Sequence, residues 1–175
     1  MAIGELISIV PPPEAPTESQ ATDWPTVEDN VGAVLPDDYK AFVERYGTGI
    51  INDFLWILNP FSTRKYVNLL SQIDLQLSAL KTLTQDFGEH CPYPLFPADE
   101  GLLPFAISDN GDVIYWLTEG NPNSWKIVVN DARSPRYEEF DGDMTSFLRK
   151  ILTREIECTL FPRDFCQGAP SFESR

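Results

Sequence analysis

Histidine is almost missing from this chain of 175 residues, with His90 its only example. Histidine-based catalysis needs an imidazole that a carboxylate orients toward a nucleophile. His90 lies in Gly88-Glu89-His90-Cys91-Pro92, so its Glu and Cys are mere chain neighbours. Adjacent side chains rarely converge on one reacting atom, and a plain loop histidine is the better reading. Cysteine is scarce as well. Cys91, Cys158 and Cys166 make no metal-ligand spacing, and an odd number closes no disulfide framework, so three reduced thiols are expected. There is no Gly-rich phosphate loop and no pair of histidines. No apolar run is long enough to cross a bilayer. Ile3 to Val10 has Glu5 and no basic flank, which makes a poor export signal, so a cytoplasmic location is expected.

Positive charge is the other shortage. Lys and Arg number 13 against 27 Asp and Glu, a net charge of −14. With no basic cluster, such a surface repels nucleic acid and anionic membranes. It attracts a basic protein, although acidity also serves solubility alone. Asp109-Asn110-Gly111-Asp112 superficially resembles a calcium loop. Its Gly falls between the acids and no bidentate Glu follows, so a hairpin turn is expected in place of a metal site. No cofactor is called for.

What the chain does have is clear punctuation. A chain of this length suits one domain that buries roughly 70% of its unfolded surface. A short apolar segment, Ile3 to Val10, stops at Pro11-Pro12-Pro13. Residues 11–22 read as an extended, mobile connector. A first main helix should start at Thr22 or Asp23, with Pro25 in its first turn and Trp24, Val27 and Val31 inward. Leu35 to Tyr46 reads as a second. Pro36 suits the first helical position, Asp37 and Asp38 complement the dipole, and Gly47 can end it in a left-handed conformation. Its Tyr39, Phe42, Val43 and Tyr46 share one face. Phe54 to Leu58 should be a strand.

Residues 66–87 should form the longest helix. Tyr66, Leu69, Leu70, Ile73, Leu77, Leu80 and Phe87 make its apolar stripe, which is core or, less simply, a partner seam. Strands are expected at 102–108, 112–118, 124–130 and 136–140, and their short links imply an antiparallel meander. Asp143 caps a last helix with Met144, Phe147, Leu148, Ile151 and Leu152 inward. In 158–175 no period is visible. Phe161, Phe165 and Phe172 should pin part of that tail, leaving the final residues loose. The expected organisation is a segment 1–22, a domain 23–157 and a tail 158–175. Its fold class is α+β, a single antiparallel sheet packed with about four main helices.

The ordered set of motifs resembles the SUKH superfamily, in its Smi/Knr-type branch. The resemblance runs from Leu6-Ile7-Ser8-Ile9-Val10-Pro11-Pro12-Pro13 through Asp23-Trp24 and Val27-Glu28 to Leu35-Pro36-Asp37-Asp38-Tyr39 with Phe42, Tyr46 and Gly47. It continues through Gly49, Phe54 to Phe61 and the hairpin Gly101 to Trp116, and ends near Leu160 to Phe165. It implies helices packed on one antiparallel sheet, and binding in place of catalysis. Bacterial members are mostly immunity proteins that neutralise toxins, while some members are regulatory scaffold modules.

Between Asp109 and Asp143 eight carboxylates face only Lys126, Arg133 and Arg136. Paired carboxylates serve glycoside hydrolysis, a remote reading that requires a cleft. As a binding edge the acids make better sense. Asp109, Asp112, Glu119 and Asp131 are the candidate partner-binding acids. Strand alternation puts Ile114, Trp116 and Thr118 on one face and Val113, Tyr115 and Leu117 on the other. Trp116 is the candidate aromatic anchor, and Trp125 belongs to the core. No catalytic residue is nominated. The expected function is therefore that of an immunity protein occluding a basic protein toxin such as a nuclease, with a regulatory interaction module of the same fold as the alternative.

Overall fold

Seven antiparallel strands lie side by side in the order β6-β5-β4-β3-β2-β1-β7 in the computed structural model, which describes residues 2–19 and 22–175. The strands are β1 (Gly49–Ile51), β2 (Leu55–Ile57), β3 (Leu102–Ser108), β4 (Val113–Leu117), β5 (Lys126–Asn130), β6 (Tyr137–Phe140) and β7 (Phe172–Ser174). Six run as a meander in chain order, and β7 returns to pair with β1. Among the described residues five helices pack on this sheet: α1 (Ala2–Ile9), α2 (Trp24–Val31), α3 (Asp37–Tyr46), α4 (Leu69–Gln85) and α5 (Met144–Leu152). The fold is α+β, as the sequence implies.

Helices cover both faces. On one, α1, α2, α3 and α5 bury Leu103, Phe105, Ile114, Trp116, Ile127 and Val129. On the other, α4 and the loop after it bury Leu102, Val113, Tyr115, Leu117 and Val128. With both faces covered, β4 is buried along its whole length, which is why it reads as an unbroken apolar run. The expected alternation holds, but neither face of β4 meets water.

Local chemistry sets the helix ends. Asp23 accepts from Thr26 N at 3.3 Å, Asn68 from Ser71 N at 3.0 Å and Asp143 from Ser146 N at 2.7 Å, each relieving an orphan N–H of its helix. Pro36 is the cap of α3 and not its first turn, because its ψ of 139° is extended. Asp38 ties α3 to α5 by accepting from Thr145 N at 2.8 Å. The two tyrosines of α3 are buried with their hydroxyls satisfied. Tyr39 donates to Leu58 O and Tyr46 to Val10 O, both at 2.6 Å.

The apolar segment Ile3 to Val10, which ends at the prolines as expected, is largely the helix α1, which packs on α5. Several expectations need correction. The connector is anchored: Thr48 N donates to Thr17 O at 2.8 Å, and the Glu18 carboxylate accepts from Thr48 Oγ1 and Thr63 N at 2.7 and 2.9 Å. Residues 20 and 21 of that connector lie outside the described residues. The long helix starts at Leu69 because Asn68 caps it, leaving Tyr66 and Phe87 outside and exposed. The strand expected from 124 starts at Lys126, since residues 122–124 form a 3-10 turn that Asn121 caps. The final residues are not loose, because Phe172–Ser174 is a strand of the sheet.

Candidate protein-interaction surface

Antiparallel strands deliver successive turns to opposite ends of the sheet. The β1–β2, β3–β4 and β5–β6 turns share one end. Asp109 N donates to Phe54 O at 2.9 Å there, and Ala132 N to Asp112 Oδ1 at 3.0 Å. Asp109, Asp112 and Asp131 therefore come together. Glu119 does not: it follows β4 at the opposite end, about 20 Å away at ~3.4 Å per residue.

The three acids at the turn end play different parts. Asp109 is exposed and accepts from Trp56 Nε1 at 2.8 Å. Asp131 accepts from Arg133 N at 2.9 Å, Arg136 Nη2 at 2.7 Å and Ser134 Oγ at 2.8 Å. Those bonds, the Arg133 amide first, hold its carboxyl below the usual carboxylate range despite partial burial. Asp112 is only 3% exposed. Its oxygens are engaged by Ser108 Oγ at 2.7 Å and by the Ala132 amide, so it joins two turns and is no rim charge.

Trp116 is 1% exposed and is not a surface anchor. Its ring stacks on Phe105 at 4.6 Å and meets Tyr39 edge-on at 5.0 Å, because the side of β4 it occupies lies under α3. The contact with Trp125 that neighbouring strands allow is present, at 5.9 Å. At the turn end the half-buried Trp56 ring meets the exposed Tyr66 at 6.4 Å, with the Arg64 guanidinium over Tyr66 at 5.6 Å. Strand alternation was the available signal. Leu55 and Ile57 are buried in the first layer, so the residue between them faces the other side.

A groove of ≈ 270 Å³ runs between α4 and the β5–β6 turn, lined by Ala79, Leu83, Glu89, Val113, Asp131 and Tyr137 among others. Leu83 of this lining is exposed, as is Leu75 elsewhere on α4. Among the described residues no three His, Cys, Asp or Glu side chains gather as a metal site. The Cys158 thiol is buried and pushed up to about 12, and burial raises Cys166 too. Both are poor nucleophiles at neutral pH.

Helices on both faces of an antiparallel meander, with carboxylates on its turns and on the β6 edge, define an α+β domain. The chain belongs to the SUKH family: the family model SUKH_6, described as SMI1-KNR4 cell-wall, matches residues 21–148. Such domains are generally non-catalytic immunity or regulatory domains that bind partner proteins. No curated protein and no solved structure matches the chain. Among the described residues no helix is long and apolar enough to cross a membrane.

Proposed function

We propose that this protein is an immunity protein of the cytoplasm that neutralises a basic protein toxin by stoichiometric occlusion, without catalysis. Membership of the SUKH family carries the reading, because it makes protein binding the default activity of the fold. The net charge of −14 supports a cationic partner. Complementary charge raises the rate of encounter and disfavours wrong partners more than it adds affinity. Of the nominated side chains, Asp109 and Glu119 are exposed and available for this, and Asp131 shares its charge with Arg136.

Co-expression tests the reading. The product of the reading frame adjacent to the gene is produced alone and together with this chain. Growth arrest by the first, relieved by this chain and not by an unrelated acidic protein, is the expected result. Arrest that this chain leaves untouched, or no arrest at all, overturns it.

A further inference from the structure

The two edges of the sheet differ. One edge is β7, a three-residue strand from the far end of the sequence that pairs with β1, matching Gly49 with Ser174 and Ile51 with Phe172. Phe172 packs on Tyr46 at 5.1 Å and against Gly49, where a Cβ would lie 2.4 Å from the Phe172 ring. Outside β7, Thr17 Oγ1 meets Ser174 Oγ at 2.8 Å. The opposite edge is β6, which pairs with β5 alone. Among the described residues no backbone group beyond β5 hydrogen-bonds to residues 137–140. An edge of this kind leaves a row of N–H and C=O groups ready to pair with another strand.

Charge along β6 decides what can pair there. Glu138, Glu139 and Asp141 line it, and the Asp141 side chain is 89% exposed. The cation on β5 beside them is Lys126, held by Glu139 at 2.9 Å and Asp141 at 3.3 Å. Two carboxylates share that one ammonium, Glu139 also accepts from the Tyr93 hydroxyl at 3.2 Å, and Glu138 accepts from the neutral Thr159 N and Oγ1, so negative charge is in excess. We propose that the β6 edge is the docking site for an extended basic segment of a protein partner, which adds as an eighth strand; this rests on the basic partner proposed above. Main-chain pairing supplies the attachment and the carboxylates supply the choice, since Lys or Arg at alternate positions of the added strand would face Glu139 and Asp141, which share one face of the sheet, while Glu138 points to the other. The same carboxylates work against a second copy of this chain. Two β6 edges brought together would oppose like charges.

Hydrogen exchange on the full chain tests this with two blocked peptides, Lys-Val-Lys-Val-Lys-Val and Glu-Val-Glu-Val-Glu-Val. At a concentration roughly ten times its Kd, the lysine peptide should slow the outward amides of 137–140 about tenfold, with 172–174 unchanged. The glutamate peptide should leave them unchanged. The double variant Glu139→Lys/Asp141→Lys should lose the protection while its β3 and β4 amides exchange as in the wild type. Protection by both peptides, by neither, or at 172–174 instead overturns the proposal. So does protection that grows with protein concentration alone, because a second copy would then hold the edge. The co-expression assay separates the two readings. A toxin neutralised equally well by the double variant refutes the edge and leaves the immunity reading standing, whereas a toxin unrelieved by the wild type refutes the immunity reading itself.

Discussion

Trp116 shows how one residue divides a core reading from an interface reading. It is buried under α3 and stacked on Phe105, so its removal opens a large cavity. Trp116→Ala should cost about 3–5 kcal/mol in a denaturant titration, as aromatic truncations in cores do. A variant that melts like the wild type yet loses partner binding would restore Trp116 to the surface. Glu18 makes a second prediction at this scale. Partial burial pushes its carboxyl up, but the Thr63 amide and the hydroxyls of Thr48, Ser62 and Thr63 outweigh that and hold it below its ordinary value of 4.5. A lowered value in the folded state means that the ionised carboxylate contributes stability above pH 4.5 and loses it as pH falls through the lowered value. Glu18→Gln should therefore be less stable than the wild type at neutral pH, by no more than about 1 kcal/mol given its contact with solvent. The gap between the two should close in acid. A gap that is constant with pH would mean that the carboxylate's charge is irrelevant to the anchor.

At the level of elements, the chain's own punctuation was readable wherever an element is long or capped. Asp143 before Met144, Asp23 before Trp24 and the Asp-Asn-Gly-Asp turn each specify a local geometry that the fold keeps. β3 occupies its expected span, Leu102–Ser108. What escaped were β1 and β7, with three residues apiece. A period of two cannot establish itself over three residues, and β7 is held by pairing with β1 from the far end of the sequence, while β1 lies between β2 and β7. Asn68 was a legible cap, but the apolar spacing continued past it to Tyr66 and concealed it. The anchoring of the connector was hidden for a similar reason. It depends on Gly47, whose φ is +67° and where a Cβ would fall 2.1 Å from Thr17 O. Gly47→Ala should cost about 1–3 kcal/mol and speed exchange of the Thr48 amide, which donates to Thr17. Unchanged protection of that amide would show that the connector tolerates the intrusion.

For the molecule as a whole, the candidate site was only half legible, because nearness in sequence is not nearness in a meander. Asp112 and Glu119 are seven positions apart, yet β4 carries them to opposite ends of the sheet. Glu138 and Glu139, further along, lie on the edge strand β6, which pairs with β5 alone. Salt should expose this geometry. The Debye length is ~30 Å at 0.01 M salt and ~8 Å at 0.15 M. From the middle of β6 to Asp109 or Glu119 is about 15 Å, counting ~4.8 Å per strand and ~3.4 Å per residue. In dilute salt, Asp109→Asn, Glu119→Gln and Glu139→Gln should each slow association with a basic toxin domain by similar factors, because the partner feels the summed field. At 0.15 M salt the first two effects should fade, while Glu139→Gln still slows association or speeds dissociation, since it removes a contact within the screening length. Stopped-flow association at the two salt concentrations measures this. If Asp109→Asn is the variant whose effect survives at 0.15 M, the partner sits on the turn end beside Trp56, and the β6 edge serves only to keep copies of this chain apart.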